Sequence, residues 1–368
     1  MNKPHYFIGL MSGTSADGIE ACLVKPEDKS MELVGRLSYP LPHADELQAL
    51  NHSQQISLTQ LSQLQRDLGE AFAQAALNLI YQHELQPADI TAIGSHGHTL
   101  FHAPELGMSL QIGHPAIIAK RTGISTYGDF RVDDMALGGQ GAPLAPLFHQ
   151  AWLHSHNIQQ AWMVNIGGMA NVSLITPHQP LQGWDTGPGN SLMDEICQQY
   201  FNCAFDDQGQ LAASVAPNQV WLAQLLDDPY FSQPPPKSTG RDYFNQAWLR
   251  ECLPAEAWQA PQQLLSTLNA LTVYTIAQAV NSINAPVIIC GGGSLNRTLI
   301  QRLQDKLANQ LATHTVETTQ DYQTDPLAIE GMLCAWLAQQ AWLGNKVDLT
   351  SVTGSEKPMI LGGCWQGK

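Results

Sequence analysis

The sequence predicts a two-domain α/β fold, and three observations carry that prediction. The chain has 368 residues, more than one ordinary hydrophobic core and enough for two domains. A strand–glycine turn–strand pattern occurs at Tyr6–Val24 and again at Trp162–Thr176, opening each half of the chain. Between these hairpins, apolar runs of strand length alternate with segments whose apolar residues recur at three and four, the helical period.

Composition narrows the function classes. Apolar residues make up 44% of the chain and charged residues only 13%, so large cores can be buried behind a sparsely charged surface. The net charge of −15 argues against nucleic acid and anionic membrane as partners, because phosphate neutralisation needs Lys and Arg. An anionic ligand would have to be met locally by backbone N–H groups, a metal or a few placed cations. The 7 cysteines are scattered without a C-x-x-C pair, which points to free thiols in a reducing compartment. No charged-then-apolar leader opens the sequence and no apolar run nears the length of a membrane span, so a cytoplasmic protein is expected.

The first hairpin has an apolar arm ending near Gly9 and a returning arm from Ile19 to Val24. Its turn holds Ser12, Gly13, Thr14, Ser15, Ala16, Asp17 and Gly18. Glycines there let the backbone turn and present N–H groups among hydroxyls, a seat for a phosphate chain. Asp17 adds a carboxylate able to hold Mg²⁺ through water. A third strand is expected at Met31–Leu37. An amphipathic helix follows over Leu61, Leu64, Leu68, Phe72, Ala75, Leu79 and Ile80.

Ile90–Ile93 reads as a short strand, with Gly94-Ser-His-Gly-His98 as the loop at its carboxyl end, where open α/β sheets place ligands. His96, His98, His102 and His114 lie close in sequence. A metal site needs imidazoles fixed on one face plus a third ligand, so polar loop histidines or a substrate contact are preferred. A helix is expected over Ile112–Ile124, beginning after Gly113-His-Pro115. Beyond it, Asp129, Arg131, Asp133 and Asp134 precede the glycine-rich run Gly138-Gly-Gln-Gly-Ala-Pro-Leu144. This long charged loop is expected to be functional, with a hinge between the domains near Gly123–Asp129.

The second hairpin turns at Gly167 and Gly168. Two domains that each offer a glycine hairpin to one phosphate chain follow the logic of the actin-like ATPase architecture. Next, Leu181–Trp184 is a candidate strand ending at Asp185, and Asn190 or Ser191 can cap a helix through Tyr200. Asp185 is a candidate catalytic base or an Asp capping its own turn. Lys237-Ser-Thr mimics the end of a P-loop, but three prolines stand before it where glycines belong. Lys237 and Arg241 remain candidate anion contacts. A helix is expected over Leu264–Ile283. Val287–Cys290 reads as a buried strand, and Gly291, Gly292 and Gly293 as bare backbone on which a nucleoside could lie. Leu327–Leu343 is expected to be an apolar helix with Glu330 near its first turn.

Taken as a set, these blocks resemble the anhydro-N-acetylmuramic acid kinases of bacterial cell-wall recycling. The resemblance rests on Gly9-Leu-Met-Ser-Gly-Thr-Ser-Ala-Asp-Gly18, Gly94-Ser-His-Gly97, Asp129-Phe-Arg131 and Gly138 to Leu144. It continues through Asn165-Ile-Gly-Gly-Met-Ala-Asn171, Asp185-Thr-Gly-Pro-Gly-Asn190, Lys237-Ser-Thr-Gly-Arg241 and Cys290-Gly-Gly-Gly293, in family order over nearly the whole chain.

The resemblance implies a two-domain sugar kinase/Hsp70/actin fold with an interdomain cleft. It places an N-terminal domain at 1–128, a C-terminal domain at 129–345, and 345–368 as a segment that could return to the first. It implies ATP and Mg²⁺ as cofactors and phosphorylation of O6 of 1,6-anhydro-N-acetylmuramic acid while water opens the anhydro bridge. A homodimer is also implied. Gly13, Thr14, Ser15, Ala16, Asp17, Gly18, Ile19 and Glu20 would form the ATP phosphate segment, joined by Gly167 and Gly168, with Gly291, Gly292 and Gly293 beside the adenosine. Asp185 would be the base, and His96, Arg131 and Glu330 would contact the sugar. The chain departs from the family pattern at Glu20, His98 and His114, where Asp, Gln and Asp are expected. Three alternatives stay open at this level: a kinase of another small substrate on the same fold, an actin-like nucleotide switch, and a glycoside hydrolase using Asp185 and Glu330.

Overall fold

A computed structural model of the chain describes residues 6–13, 16–27, 31–53, 55–177, 179–235, 237–280, 283–310 and 315–368. In chain order the strands are β1 (Tyr6–Ser12), β2 (Ile19–Pro26), β3 (Met31–Tyr39), β4 (Ile90–Ala103), β5 (Met108–Ile112), β6 (Thr126–Gly128), β7 (Ala161–Ile166), β8 (Met169–Ile175), β9 (Gln182–Pro188), β10 (Val287–Cys290), β11 (Val316–Thr318) and β12 (Gly363–Trp365). They form two sheets in two compact units. The first unit is Met1–Ile158 with Ala328–Lys368, and the second is Gln159–Leu327.

The two sheets share one topology. In unit one, β3, β2 and β1 run antiparallel in that order, and β4 and β6 continue the sheet in parallel on the other side of β1. In unit two, β9, β8 and β7 repeat the antiparallel half, and β10 and β11 the parallel half. The duplication expected from the two glycine hairpins therefore extends through whole sheets.

Each unit has its own core, made by the residue pattern of its elements. In unit one the helix Leu58–Gln82 starts where Ser57 accepts the Gln60 N–H. It buries Leu64, Leu68, Phe72, Ala75, Ala76, Leu79 and Ile80 on one stripe, against Ile8, Leu10, Ile19, Ala21 and Leu23 of the sheet. The opposite face of the sheet takes the helix Ile329–Leu343. Glycines allow that approach: a Cβ on Gly9 would stand 1.8 Å from the Gly331 carbonyl oxygen, and one on Gly94 1.9 Å from that of Cys334. In unit two every residue of β7 is buried, as expected of a strand covered on both faces. The helix Pro261–Ala279 is buried along most of its length against β8 and β9.

Several expectations are corrected. β4 does not stop at Ile93 but runs to Ala103, because β5 pairs antiparallel with its second half, so His96, His98 and His102 stand on a strand rather than in a loop. The segment expected to be helical from Ile112 is β5 to that residue, and the helix is Pro115–Thr122. The segment 123–129 is no hinge between units, since β6 is paired to β4 on one side and β12 on the other. Residues 129–158 and 328–345, expected in the second domain, belong to unit one. The reason is local bonding: Asp133 accepts the Gly362 N–H at 2.7 Å, and Asp134 accepts the Thr353 hydroxyl at 2.7 Å. The chain crosses between units at Ile158/Gln159 and Leu327/Ala328.

Candidate functional site

Unit one carries the first glycine turn. Gly13 accepts the Ala16 N–H at 3.0 Å, and Ala16 adopts φ 56° with its methyl buried. Thr14 and Ser15 lie outside the described residues. Asp17 is exposed, and Gly18 is buried against Ser38 and Tyr39. Ile19 points into the core, which leaves only its backbone for a ligand. The carboxylate of Glu20 is 2.6 Å from the Arg36 guanidinium on the neighbouring strand. The longer acid at this position is thus held back along the sheet.

Three further candidates of unit one lie around one thiol. Arg131 donates from Nε to His96 Nε2 at 3.0 Å and from Nη1 to the Gly141 carbonyl at 2.8 Å. Burial, with the Arg131 charge beside it, lowers the His96 pKa to about 3. The imidazole is therefore neutral, and because Nε2 accepts, its proton sits on Nδ1. Burial, with Glu330 adding to it, pushes the Cys334 thiol up to about 12, while Arg131 acts the other way. His96, Arg131 and Glu330 are thereby brought into one neighbourhood. Asp134, fully buried, accepts the Gly141 N–H at 2.7 Å, so the glycine-rich loop is pinned from both sides. His98 is buried, with Nδ1 3.2 Å from the Ser12 hydroxyl at the mouth of the turn. Among the described residues, no group of three or more His, Cys, Asp or Glu gathers in a way that could hold a metal ion.

Unit two carries the second turn and Asp185. A Cβ on Gly167 would meet nothing nearer than 3.6 Å and one on Gly168 nothing nearer than 3.4 Å. Neither glycine is there to relieve crowding. The Gly167 carbonyl accepts the Asn190 N–H, and the Gly168 carbonyl those of Gly189 and Ser191. The helix Ser191–Phe201 is thus capped by the turn and not by the side chain of Asn190, which makes no cap hydrogen bond there.

Asp185 lies inside β9 rather than at its end, next to a register shift against β8. Its N–H donates to the Lys237 carbonyl at 3.0 Å, its carbonyl accepts the Tyr230 hydroxyl at 2.8 Å, and its Oδ2 accepts the Thr239 N–H at 3.0 Å. Two of these bonds fix the main chain of Asp185, and the third orients its half-buried carboxylate. Thr239 and Tyr230 are the residues that sequence reasoning missed: the Thr239 contact spans 54 positions, and no local pattern announces it. Lys237 is not arranged as an anion contact. Its ammonium donates to the Tyr230 carbonyl at 3.0 Å and lies 4.6 Å from the centre of the Tyr230 ring.

The triple glycine divides in two. A Cβ on Gly291 would meet Asn165 Oδ1 at 2.3 Å, and one on Gly293 would meet Ile166 Cγ2 at 2.3 Å. These glycines serve the close packing of β10 on β7. Only Gly292 is free of crowding, its nearest neighbour being Asn190 Nδ2 at 3.7 Å.

Two α/β units of one topology, each with a glycine-bearing turn between its first two strands, define the class of actin-like two-domain folds. Comparison with known proteins gives the family. Residues 5–367 match the family described as anhydro-N-acetylmuramic acid kinase. An anhydro-N-acetylmuramic acid kinase of Hydrogenovibrio crunogenus is 45% identical over 364 residues, 98% of this chain and 97% of that protein. One of Shewanella sp. (strain ANA-3) is 42% identical over 376 residues, covering 100% of both. Among solved structures, the activator of the 2-hydroxyisocaproyl-CoA dehydratase from Clostridium difficile with bound ADPNP is 9% identical, with a TM-score of 0.45, over 90% of this chain and 94% of that one. The chain belongs to the anhydro-N-acetylmuramic acid kinase family.

Proposed function

We propose that this kinase transfers the γ-phosphoryl group of ATP to O6 of 1,6-anhydro-N-acetylmuramic acid while water opens the anhydro bridge at C1, yielding N-acetylmuramic acid 6-phosphate for peptidoglycan recycling. Asp185 is the general base. The single observation that carries this reading is the three-point fixing of Asp185 by Lys237, Tyr230 and Thr239. A carboxylate so held, yet half-buried and reachable, can accept a proton from a water directed at C1. As the C1–O6 bond breaks, O6 becomes the nucleophile toward phosphorus, and water must approach C1 from the face opposite the departing oxygen. One positioned carboxylate suffices for that proton.

The other assignments follow the same reading, each within its own unit. In unit one, Gly13, Ala16, Asp17, Gly18, Ile19 and Glu20, with Thr14 and Ser15, border the ATP phosphates, and His96, Arg131 and Glu330 contact the sugar. In unit two, Gly167 and Gly168 offer open backbone to phosphate oxygens, and Gly292 offers the open part of the triple glycine to the nucleoside. The uncrowded Gly167–Gly168 turn, with the Arg241 guanidinium beside Gly168, fits a polyphosphate, since neither glycine has a side chain to keep a ligand from the main chain. Mg²⁺ fits the exposed single carboxylate of Asp17, because this ion keeps most of its waters and takes few protein ligands. When bound it neutralises charge on the phosphates.

The test is incubation with the anhydro sugar, with and without Mg-ATP, in ¹⁸O-labelled water. Label at C1 and phosphate at O6, both dependent on ATP, are expected. Ring opening without ATP would indicate a hydrolase instead, and full phosphate transfer by Asp185→Asn would remove Asp185 from the reaction.

A further inference from the structure

Arg241 is the unusual cation of unit two. The chain carries 17 Lys and Arg against 32 Asp and Glu, so carboxylate partners are plentiful. Arg36, Arg66 and Arg121 have taken them, pairing with Glu20, Asp67 and Glu70. The Arg241 guanidinium makes no hydrogen bond or ion pair with any described residue, and its Nε is buried without a partner. It is held against the open glycine turn: a Cβ on Gly168 would lie 3.4 Å from its Nη2 and 3.6 Å from its Nε. That same Cβ position is 3.8 Å from Cβ of Ser191, a fully buried residue whose hydroxyl also has no partner. Two residues before Arg241, Thr239 has a second buried hydroxyl without a partner, while its N–H holds Asp185. Buried donors are normally satisfied, and two orphans at one turn, with a third two residues along from Arg241, mark the place of an absent acceptor.

We propose that Arg241, with the Ser191 and Thr239 hydroxyls, forms an oxyanion subsite at the Gly168 turn. It is filled by an oxyanion of one of the two substrates. A guanidinium presents a planar fork that a carboxylate or a phosphoryl group can accept in bidentate fashion. The two sources of that chemistry are the lactyl carboxylate of the muramic acid and the terminal phosphate of the nucleotide. The subsite rests on the reading of Asp185 as the base, because the segment that carries Arg241 is the one tied to Asp185.

The experiment is steady-state kinetics of full-length Arg241→Gln and Arg241→Lys, varying ATP at saturating sugar and the sugar at saturating ATP. A rise of tenfold or more in one KM, with kcat reduced less, is the expected result. A shift confined to ATP assigns the terminal phosphate. A shift confined to the sugar assigns the carboxylate, and Arg241→Gln should then lose its preference over 1,6-anhydro-N-acetylglucosamine, which lacks the lactyl group. Both KM values within twofold of the parent protein, in either variant that keeps the parent Tm, overturn the proposal. The lysine variant keeps the charge and the stem, so a folded protein is available even if the glutamine variant unfolds. Asp185→Asn is assayed in parallel. If it turns over normally the base assignment fails, whereas the Arg241 shift in KM stands or falls on its own readout.

Discussion

At the scale of single residues, the glycines separate into those required by packing and those left open. Gly94→Ala would drive a methyl into the Cys334 carbonyl at 1.9 Å, backbone against backbone. We expect it to destabilise unit one by ~1–3 kcal/mol or more, read as a fall in the urea midpoint. Gly167→Ala meets nothing closer than 3.6 Å. It should leave the midpoint unchanged or slightly higher, by up to about 1 kcal/mol, and lower kinase activity if phosphates lie on that turn. A parent-like KM for ATP in Gly167→Ala would remove the turn from nucleotide binding. The sequence showed both glycines equally well and could not rank them, because what distinguishes them is a distance to a residue far along the chain.

Two buried histidines and the half-buried His96 give the molecule a pH dependence. Burial lowers the pKa of His96 to about 3 and of His98 and His149 to about 4. An unfolded chain binds these protons near pH ~6.5, and the folded chain does not. Stability is therefore complete above ~6.5 and declines as pH falls toward 4, by up to ~1.4 kcal/mol per pH unit for each histidine. Urea midpoints measured from pH 7.5 to 5 should show this slope, and His149→Gln should reduce it by about one proton. A flat profile over that interval would contradict the burial of these rings as neutral imidazoles.

At the scale of elements, the hairpins, the helix Leu58–Gln82 and the strand β10 were legible because hydrophobic period and glycine punctuation are local signals. The length of β4 was not. Its second half is polar and rich in histidine, and it is a strand only because β5 returns to pair with it. The capping of Ser191–Phe201 was misread for a similar reason: the acceptors are carbonyls of a turn more than twenty positions earlier, and Asn190 only looks like the cap. The loop 137–144 is held by Asp134 through Gly141 and Thr353, and by Arg131 through the Gly141 carbonyl. Asp134→Ala leaves the buried Gly141 N–H without its acceptor and takes from the Thr353 hydroxyl one of its two acceptors, the other being the Leu349 carbonyl. A cost of ~1–3 kcal/mol for the unsatisfied group is expected, together with faster limited proteolysis at this loop. Cleavage there at the parent rate would show that the carboxylate does not hold it.

At the scale of the whole molecule, the duplication of a sheet was readable from two hairpins, but the division of the chain was not. Pairing of β12 with β6, and the bonds of Asp133 and Asp134 to residues beyond 350, assign the ends of the chain to one unit. Unit two is one continuous stretch, Gln159–Leu327, with its own sheet and core. Expressed alone, residues 159–327 are expected to fold cooperatively, whereas residues 1–158 alone are not. Circular dichroism and urea titration of the two fragments check this, and a cooperative transition in residues 1–158 alone would contradict it.

The helix Ile329–Leu343 also sets an order of events on the ribosome. The face of the first sheet that carries Gly9 and Gly94 receives its cover from residues made near the end of translation. Unit two emerges complete before then, so the domain begun first is finished last. While synthesis proceeds, the nascent chain exposes Phe7, Gly9, Cys22 and Gly94, a strip of sheet ready for wrong partners. Holdase chaperones would act during that interval, and a stall placed after residue 327 would extend it.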